Sequence, residues 1–232
     1  MFLPQPLLAI IIIIGTILIY LAMCRLYRHF PVPFLLPILT SLVTIALLLR
    51  LSGFTYATYM TGGRWIDALL GPAVVSLAFP LFQQRKVLFA NAVPIAGGVL
   101  AGSVAGLVSG LGFAAALGAS RPLALSLLPK SVTTPVATAI AVELGGVPAL
   151  AVVFVMVAGI GGAVIGPLVM KLFRIRGPLA QGVAFGSGSH VIGTSKATEY
   201  GEDTASVSSV AMTLSAVSAS VFAPVVAWWF YG

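Results

Sequence analysis

Charged side chains are nearly absent from this sequence. Lys, Arg, Asp and Glu make up 7% of its 232 residues, against 59% hydrophobic residues. A soluble domain needs about a quarter of its residues charged to clothe an apolar core. With a mean hydropathy of +1.12, this chain excludes that class, and its apolar surface must face lipid. Acidic residues are scarcest, five against twelve basic ones. The resulting charge of +7 does not indicate nucleic acid, because the basic residues sit in short loops between apolar runs and act as orientation signals. One cysteine, Cys24, excludes an intramolecular disulfide framework and a thiolate metal cluster. No phosphate loop with its lysine, no HExxH and no paired carboxylates within a span occur. The sequence therefore predicts no enzyme, no cofactor and no metal.

What is present is a series of apolar runs. A span needs about 20 such residues, and eight candidates follow: Leu7–Met23, Phe34–Leu51, Ile66–Phe82, Val87–Leu117, Leu123–Leu144, Val147–Leu172, Leu179–Thr198 and Ala205–Phe230. Met1 to Met23 is uncharged and Arg25 and Arg28 follow. That is the reverse of a secretory signal and predicts a first span with its N-terminus outside. In the fourth run, Gly97, Gly98, Gly102, Gly106, Gly110 and Gly112 are expected to let helices approach closely. Trp228, Trp229 and Tyr231 close the last run as an interfacial belt.

Two runs carry polar interruptions. One holds Pro129, Lys130, Ser131, Thr133, Thr134 and Pro135; the other holds Gly186 to Lys196, with Ser187, Ser189, His190, Gly193, Thr194 and Ser195. Non-helical backbone survives at membrane depth only inside protein or around a water-filled cavity. Both segments are thus expected to be broken or re-entrant and buried. They are also related: a shift of 56 residues brings Thr138 onto Thr194, Ala141 onto Ala197, Glu143 onto Glu199, Gly145 onto Gly201 and Met156 onto Met212. With one insertion Pro167 meets Pro224. Each copy reads as polar break, short helix, acidic loop, long apolar helix and late proline. The candidate repeat units are 131–170 and 187–227, within one transmembrane domain over 1–232.

Charge placement constrains their orientation. With Arg25 and Arg28 inside, Arg85 and Lys86 are also inside two spans later. If the Lys130 segment enters and leaves on one side, the basic loop Lys171–Arg176 is inside too. The two units then run in opposite directions, an inverted repeat. An extra break within Val87–Leu117 gives the same parity. The expected architecture is an all-α, polytopic membrane helical bundle with two broken or re-entrant segments.

The runs LLGPAVVSLAFPLFQQ (Leu69–Gln84), LLPKSVTTPVA (Leu127–Ala137) and GSGSHVIGTSKA (Gly186–Ala197) resemble the signature stretches of the LrgB/CidB family. This family includes YohK-type membrane proteins and resembles the C-terminal half of the plastid glycolate/glycerate translocator. The likeness covers roughly Leu35 to Val226, departing at Gly188, where members usually have a small residue or threonine before Ser-His. The resemblance implies a small holin-like partner of the LrgA/CidA type. It also implies one of two roles: modulation of murein hydrolases and lysis, or carriage of small carboxylates such as pyruvate or glycolate. It leaves a homo-oligomer open.

A carboxylate needs positive charge and hydrogen-bond donors. Candidate binding residues are Lys130, Ser131, Thr133, Thr134, Pro135, Ser189, His190, Gly193 and Thr194. Lys130 is either a point charge for the substrate or an anchor snorkelling to the interface. His190 is either a carrier of a coupling proton or a hydrogen-bond partner at a helix break. The hydroxyls either meet substrate or satisfy freed backbone groups. Lys196 is expected to pair with Glu199 or Glu202. The two segments are expected to meet near the membrane midplane, with the backbones of Thr134 and Ser189 within about 10 Å and with Lys130 and His190 facing one polar cavity.

Overall fold

The computed structural model describes residues 4–30, 32, 35 and 37–231. The chain is 86% helical, and no strand occurs among the described residues. Two compact units divide it, Met1–Pro72 and Ala73–Gly232; both repeat units fall in the second.

The first unit contains α1 (Gln5–His29), α2 (Pro37–Ser52) and α3 (Tyr56–Asp67). α1 has no buried residue, so its Ile and Leu side chains form a lipid-facing surface. Where α1 meets α3, a Cβ on Gly62 would lie 2.7 Å from the Ala9 carbonyl oxygen; only glycine fits there. The hydroxyls of Thr16 and Tyr59 meet at 3.2 Å beside this crossing. α3 lies mostly outside the apolar runs, and its N-cap Thr55 accepts from the Thr58 N–H.

The run Ile66–Phe82, expected to span as one helix, is interrupted. It contains the end of α3, then α4 (Leu70–Ser76) and α5 (Ala78–Gln83). The fourth run likewise divides at Asn91 into α6 (Arg85–Ala90) and α7 (Ala92–Ala116). The interruptions at Leu69, Leu77 and Asn91 each fall three residues before a proline, Pro72, Pro80 or Pro94. Proline has no N–H to offer the carbonyl four residues earlier, so the preceding turn opens. The signal was present in the sequence. The expected span beginning at Phe34 starts outside the described residues; its helix α2 begins at Pro37.

The second unit continues with α8 (Arg121–Leu127), α9 (Thr134–Leu144), α10 (Pro148–Leu172), α11 (Pro178–Ala197), a 3-10 turn (Thr198–Tyr200) and α12 (Glu202–Tyr231). Among the described residues, four helices are long and apolar enough to cross a membrane: α1, α7, α10 and α12. The repeated order read from the sequence reappears. Each copy has a break, a short helix, a turn at a glycine with positive φ (Gly145 at 81°, Gly201 at 109°), and a long helix. Pro167 and Pro224 lie inside the long helices.

α12 is the centre of this unit. Its buried stripe includes Thr204, Ser208, Ala211, Ser215, Ala219 and Ala223, a run of small residues at helical spacing that admits close neighbours. One apolar core joins Leu107 and Leu111 of α7 to Leu125, Val136, Ile140, Ala219 and Ala223. A second joins Ile95 and Val99 to Val207, Val210 and Ala211. Trp228 and Trp229 end α12 exposed, as an interfacial belt requires.

Candidate functional site

Both interrupted segments break where the sequence places them. The first separates α8 from α9 over residues 128–133. The second lies inside α11, where Ser189 (φ −136°, ψ 15°) and His190 (φ 43°, ψ −134°) leave helical geometry. A positive φ at a non-glycine residue is strained, by about 1–3 kcal/mol, and persists only where packing holds it.

α7 receives both segments on one glycine stripe. Cβ atoms built on Gly98, Gly102, Gly106 and Gly110 would meet Val183 at 2.9 Å, Ser187 Oγ at 3.1 Å, Ser131 Oγ at 3.4 Å and Lys130 Nζ at 2.7 Å. Gly97 and Gly112, expected to share this role, face no neighbour within 4 Å. Ser131 and Ser187 are 56 residues apart, the repeat shift, and reach α7 one turn apart. A small cavity lies between them, with Ser103, Gly106, Ser131, Ser187 and Ser215 set among the apolar side chains of Leu107, Leu128, Pro129, Val132 and Ala219. It has room for about one water molecule, roughly 10 Å³.

Lys130 and His190 do not line this cavity. Lys130 Nζ donates to the Gly106 carbonyl oxygen at 2.6 Å, immediately beside the cavity wall. Gly106 lies 14 residues after the start of α7 and 10 before its end, so this ammonium is held roughly 21 Å from the first end and roughly 15 Å from the second at about 1.5 Å per residue. The Lys130 side chain is half-buried. His190 is buried and turns toward α10, with Nε2 2.9 Å from the Val155 carbonyl oxygen. A carbonyl only accepts, so Nε2 carries the hydrogen. The ring lies against Gly159, where a Cβ would come within 2.5 Å of Nε2, and Ser189 fills the space over Gly162. This second glycine stripe, on α10, was legible in the sequence as small-residue spacing and was missed.

The remaining predicted residues take distinct places. Thr133 caps α9 without a side-chain cap bond; it is 4% exposed and its Oγ1 has no hydrogen-bond partner. Thr134 and Pro135 form the first turn of α9. Gly193 packs against Phe185 and Ser189. Thr194 Oγ1 donates to the His190 carbonyl oxygen at 3.0 Å and lies 3.0 Å from Ser208 Oγ, so it serves the broken backbone. Lys196 pairs with Glu199 at 2.5 Å on the exposed side, as expected. The sequence reading missed Ser103 and Ser215, serines inside otherwise apolar helices and outside both polar interruptions.

The electrostatics have one sign. Asp67, Glu143, Glu199, Glu202 and Asp203, the five acidic residues, are all exposed. Among the described residues Lys130 pairs with no carboxylate, and its ammonium is the charge nearest to the cavity wall at Gly106.

The model of the LrgB-like family matches residues 16–229. The chain belongs to the LrgB-like family. It is 55% identical over 227 residues to the Bacillus subtilis (strain 168) protein named Uncharacterized protein YxaC, covering 98% of this chain and 99% of that one. It is 34% identical over 223 residues to Holin-like protein CidB of Staphylococcus aureus (strain Mu50 / ATCC 700699), covering 96% and 97%. Uncharacterized protein YwbG of Bacillus subtilis (strain 168) is 38% identical over 209 residues, covering 90% and 93%. No solved structure matches. Family membership and the four long apolar helices make this a multi-pass bacterial membrane protein.

Proposed function

We propose that this LrgB-like protein is a secondary carrier, or the carrier subunit, for small monocarboxylates of the pyruvate or glycolate type. One observation carries the reading: the two broken segments converge on α7 around a cavity holding four serines, flanked by a lysine that pairs with no carboxylate. A lysine at that depth costs on the order of 3 kcal/mol, and packing alone gives no reason to keep it. A transported carboxylate supplies the missing counter-charge. Paired interrupted segments are also the usual sequence pointer to a transporter site. The α9 N-terminus adds free N–H groups and a positive dipole end beside the unpartnered Thr133 hydroxyl. On this reading the chain is no enzyme.

The cavity holds about one water, so the described form is closed. A three-carbon acid requires the walls from α12 and the 128–133 break to separate from α7. Uptake of labelled pyruvate and glycolate into proteoliposomes tests this, with and without a small LrgA/CidA-type partner. Saturable uptake is expected; no uptake of any small carboxylate under either condition sinks the reading.

A second reading is supported by the 34% identity to Holin-like protein CidB. In it the chain regulates murein hydrolases and lysis through the small partner and moves no substrate. Folded variants at Thr133, Thr134 or His190 then keep the lysis phenotype. Loss of that phenotype in step with lost uptake favours the carrier.

A further inference from the structure

Ser103 lies on α7, one residue before its midpoint and outside both polar motifs. It is 6% exposed, and its Oγ is buried without a hydrogen-bond partner. The other helix serines on the cavity wall are occupied: Ser187 donates to the Val183 carbonyl oxygen at 2.7 Å and Ser215 to that of Met212 at 2.9 Å. Ser103 makes no such back-bond, so its proton is free. A buried hydroxyl left unsatisfied destabilises the fold, and such groups in native proteins call for a reason. The cavity it lines also contains Gly106, whose carbonyl oxygen holds the Lys130 ammonium. With every acidic residue exposed, a neighbouring ammonium opposes a cation there and favours an anion.

We infer that Ser103 is a ligand-binding residue: its hydroxyl donates to the carboxylate of a small acid held between Ser131 and Ser187, with Lys130 as the neighbouring charge. The inference rests on the carrier reading and deepens it by making α7 part of the site rather than a packing surface. It also accounts for the unsatisfied hydroxyl, because the ligand is its partner.

The test uses the full chain in proteoliposomes, with the small partner wherever uptake requires it. Ser103→Ala removes one hydrogen bond to a charged group and should raise the KM for pyruvate or glycolate roughly tenfold or more. The same variant should melt at an equal or higher temperature in detergent without carboxylate, since it deletes an orphan hydroxyl. Ser103→Thr should recover much of the affinity. Ser103→Cys in a Cys24→Ser background should react with a small methanethiosulfonate, and pyruvate or glycolate should slow that reaction. An unchanged KM in Ser103→Ala, with the wild type active, overturns the inference and leaves the carrier intact. A lowered melting temperature together with no protection of Cys at 103 makes the residue structural and also overturns it. A wild type that moves no carboxylate sinks the carrier reading and this inference with it.

Discussion

Ser131 and Ser187 approach the same face of α7, one over Gly106 and the other over Gly102. They stand at equivalent points of the repeated sequence. One helix thus receives two copies of one broken motif on a single face, and small residues on that helix let both come close. A carboxylate site between the two segments depends on this juxtaposition.

Lys130 is the first point at which it can be challenged. Lys130→Met keeps the length of the side chain and removes an ammonium without a partner. Its melting temperature should equal or exceed that of the wild type, because an uncompensated charge is gone. Uptake should fall at least about tenfold, since a charged hydrogen bond is worth about 1.5–3 kcal/mol. Lys130→Arg should not rescue it: with Gly110 pressed against Nζ, the larger guanidinium has no room. Unchanged uptake in Lys130→Met would remove the charge from the mechanism.

His190 permits a measurement of stored strain. His190→Ala and His190→Gly both lose the bond to the Val155 carbonyl. They differ only in tolerance of φ 43°. In an ordinary helix alanine is the better residue by about 1 kcal/mol; here the order should invert, with glycine more stable by up to about 2 kcal/mol. Thermal or denaturant unfolding in detergent decides it, and alanine being the more stable would mean the break is not strained in solution.

Two glycines of one helix should respond oppositely to the same methyl group. A Cβ on Gly186 would collide with the Ser208 carbonyl oxygen of α12, whereas one on Gly188 meets nothing within 4 Å. Gly186→Ala should cost about 3 kcal/mol or prevent folding, and Gly188→Ala should be neutral or slightly stabilising. Similar melting temperatures for the two variants would contradict the α11–α12 packing.

Orientation is testable through the loop after α10. Lys171, Arg174 and Arg176 predict that it is cytoplasmic. Arg174→Cys, in a Cys24→Ser background, should react with an impermeant thiol reagent only after the cells are permeabilised. Labelling in intact cells would place this loop outside, against the orientation that the basic residues predict.

By itself the sequence determined whatever depends on local order. Sparse charge and long apolar runs required helices in lipid. Clustered hydroxyls, prolines and glycines located both breaks, and the 56-residue shift exposed the repeated order of elements. Lys196 and Glu199, three residues apart on one helical turn, could be paired without knowing the fold. Tertiary structure decided which face of each helix points inward. An apolar helix in an apolar solvent carries little amphipathic signal, so its rotation is set by packing against neighbours. That is why Gly98 and Gly110 meet partners while Gly97 and Gly112 do not. It is also why the two motifs meet through Ser131 and Ser187, while Lys130 and His190 turn to different helices. Ser103 shows the limit most plainly. In the sequence it is one serine among glycines and alanines, and only the helices closed around it leave its hydroxyl buried and unpaired.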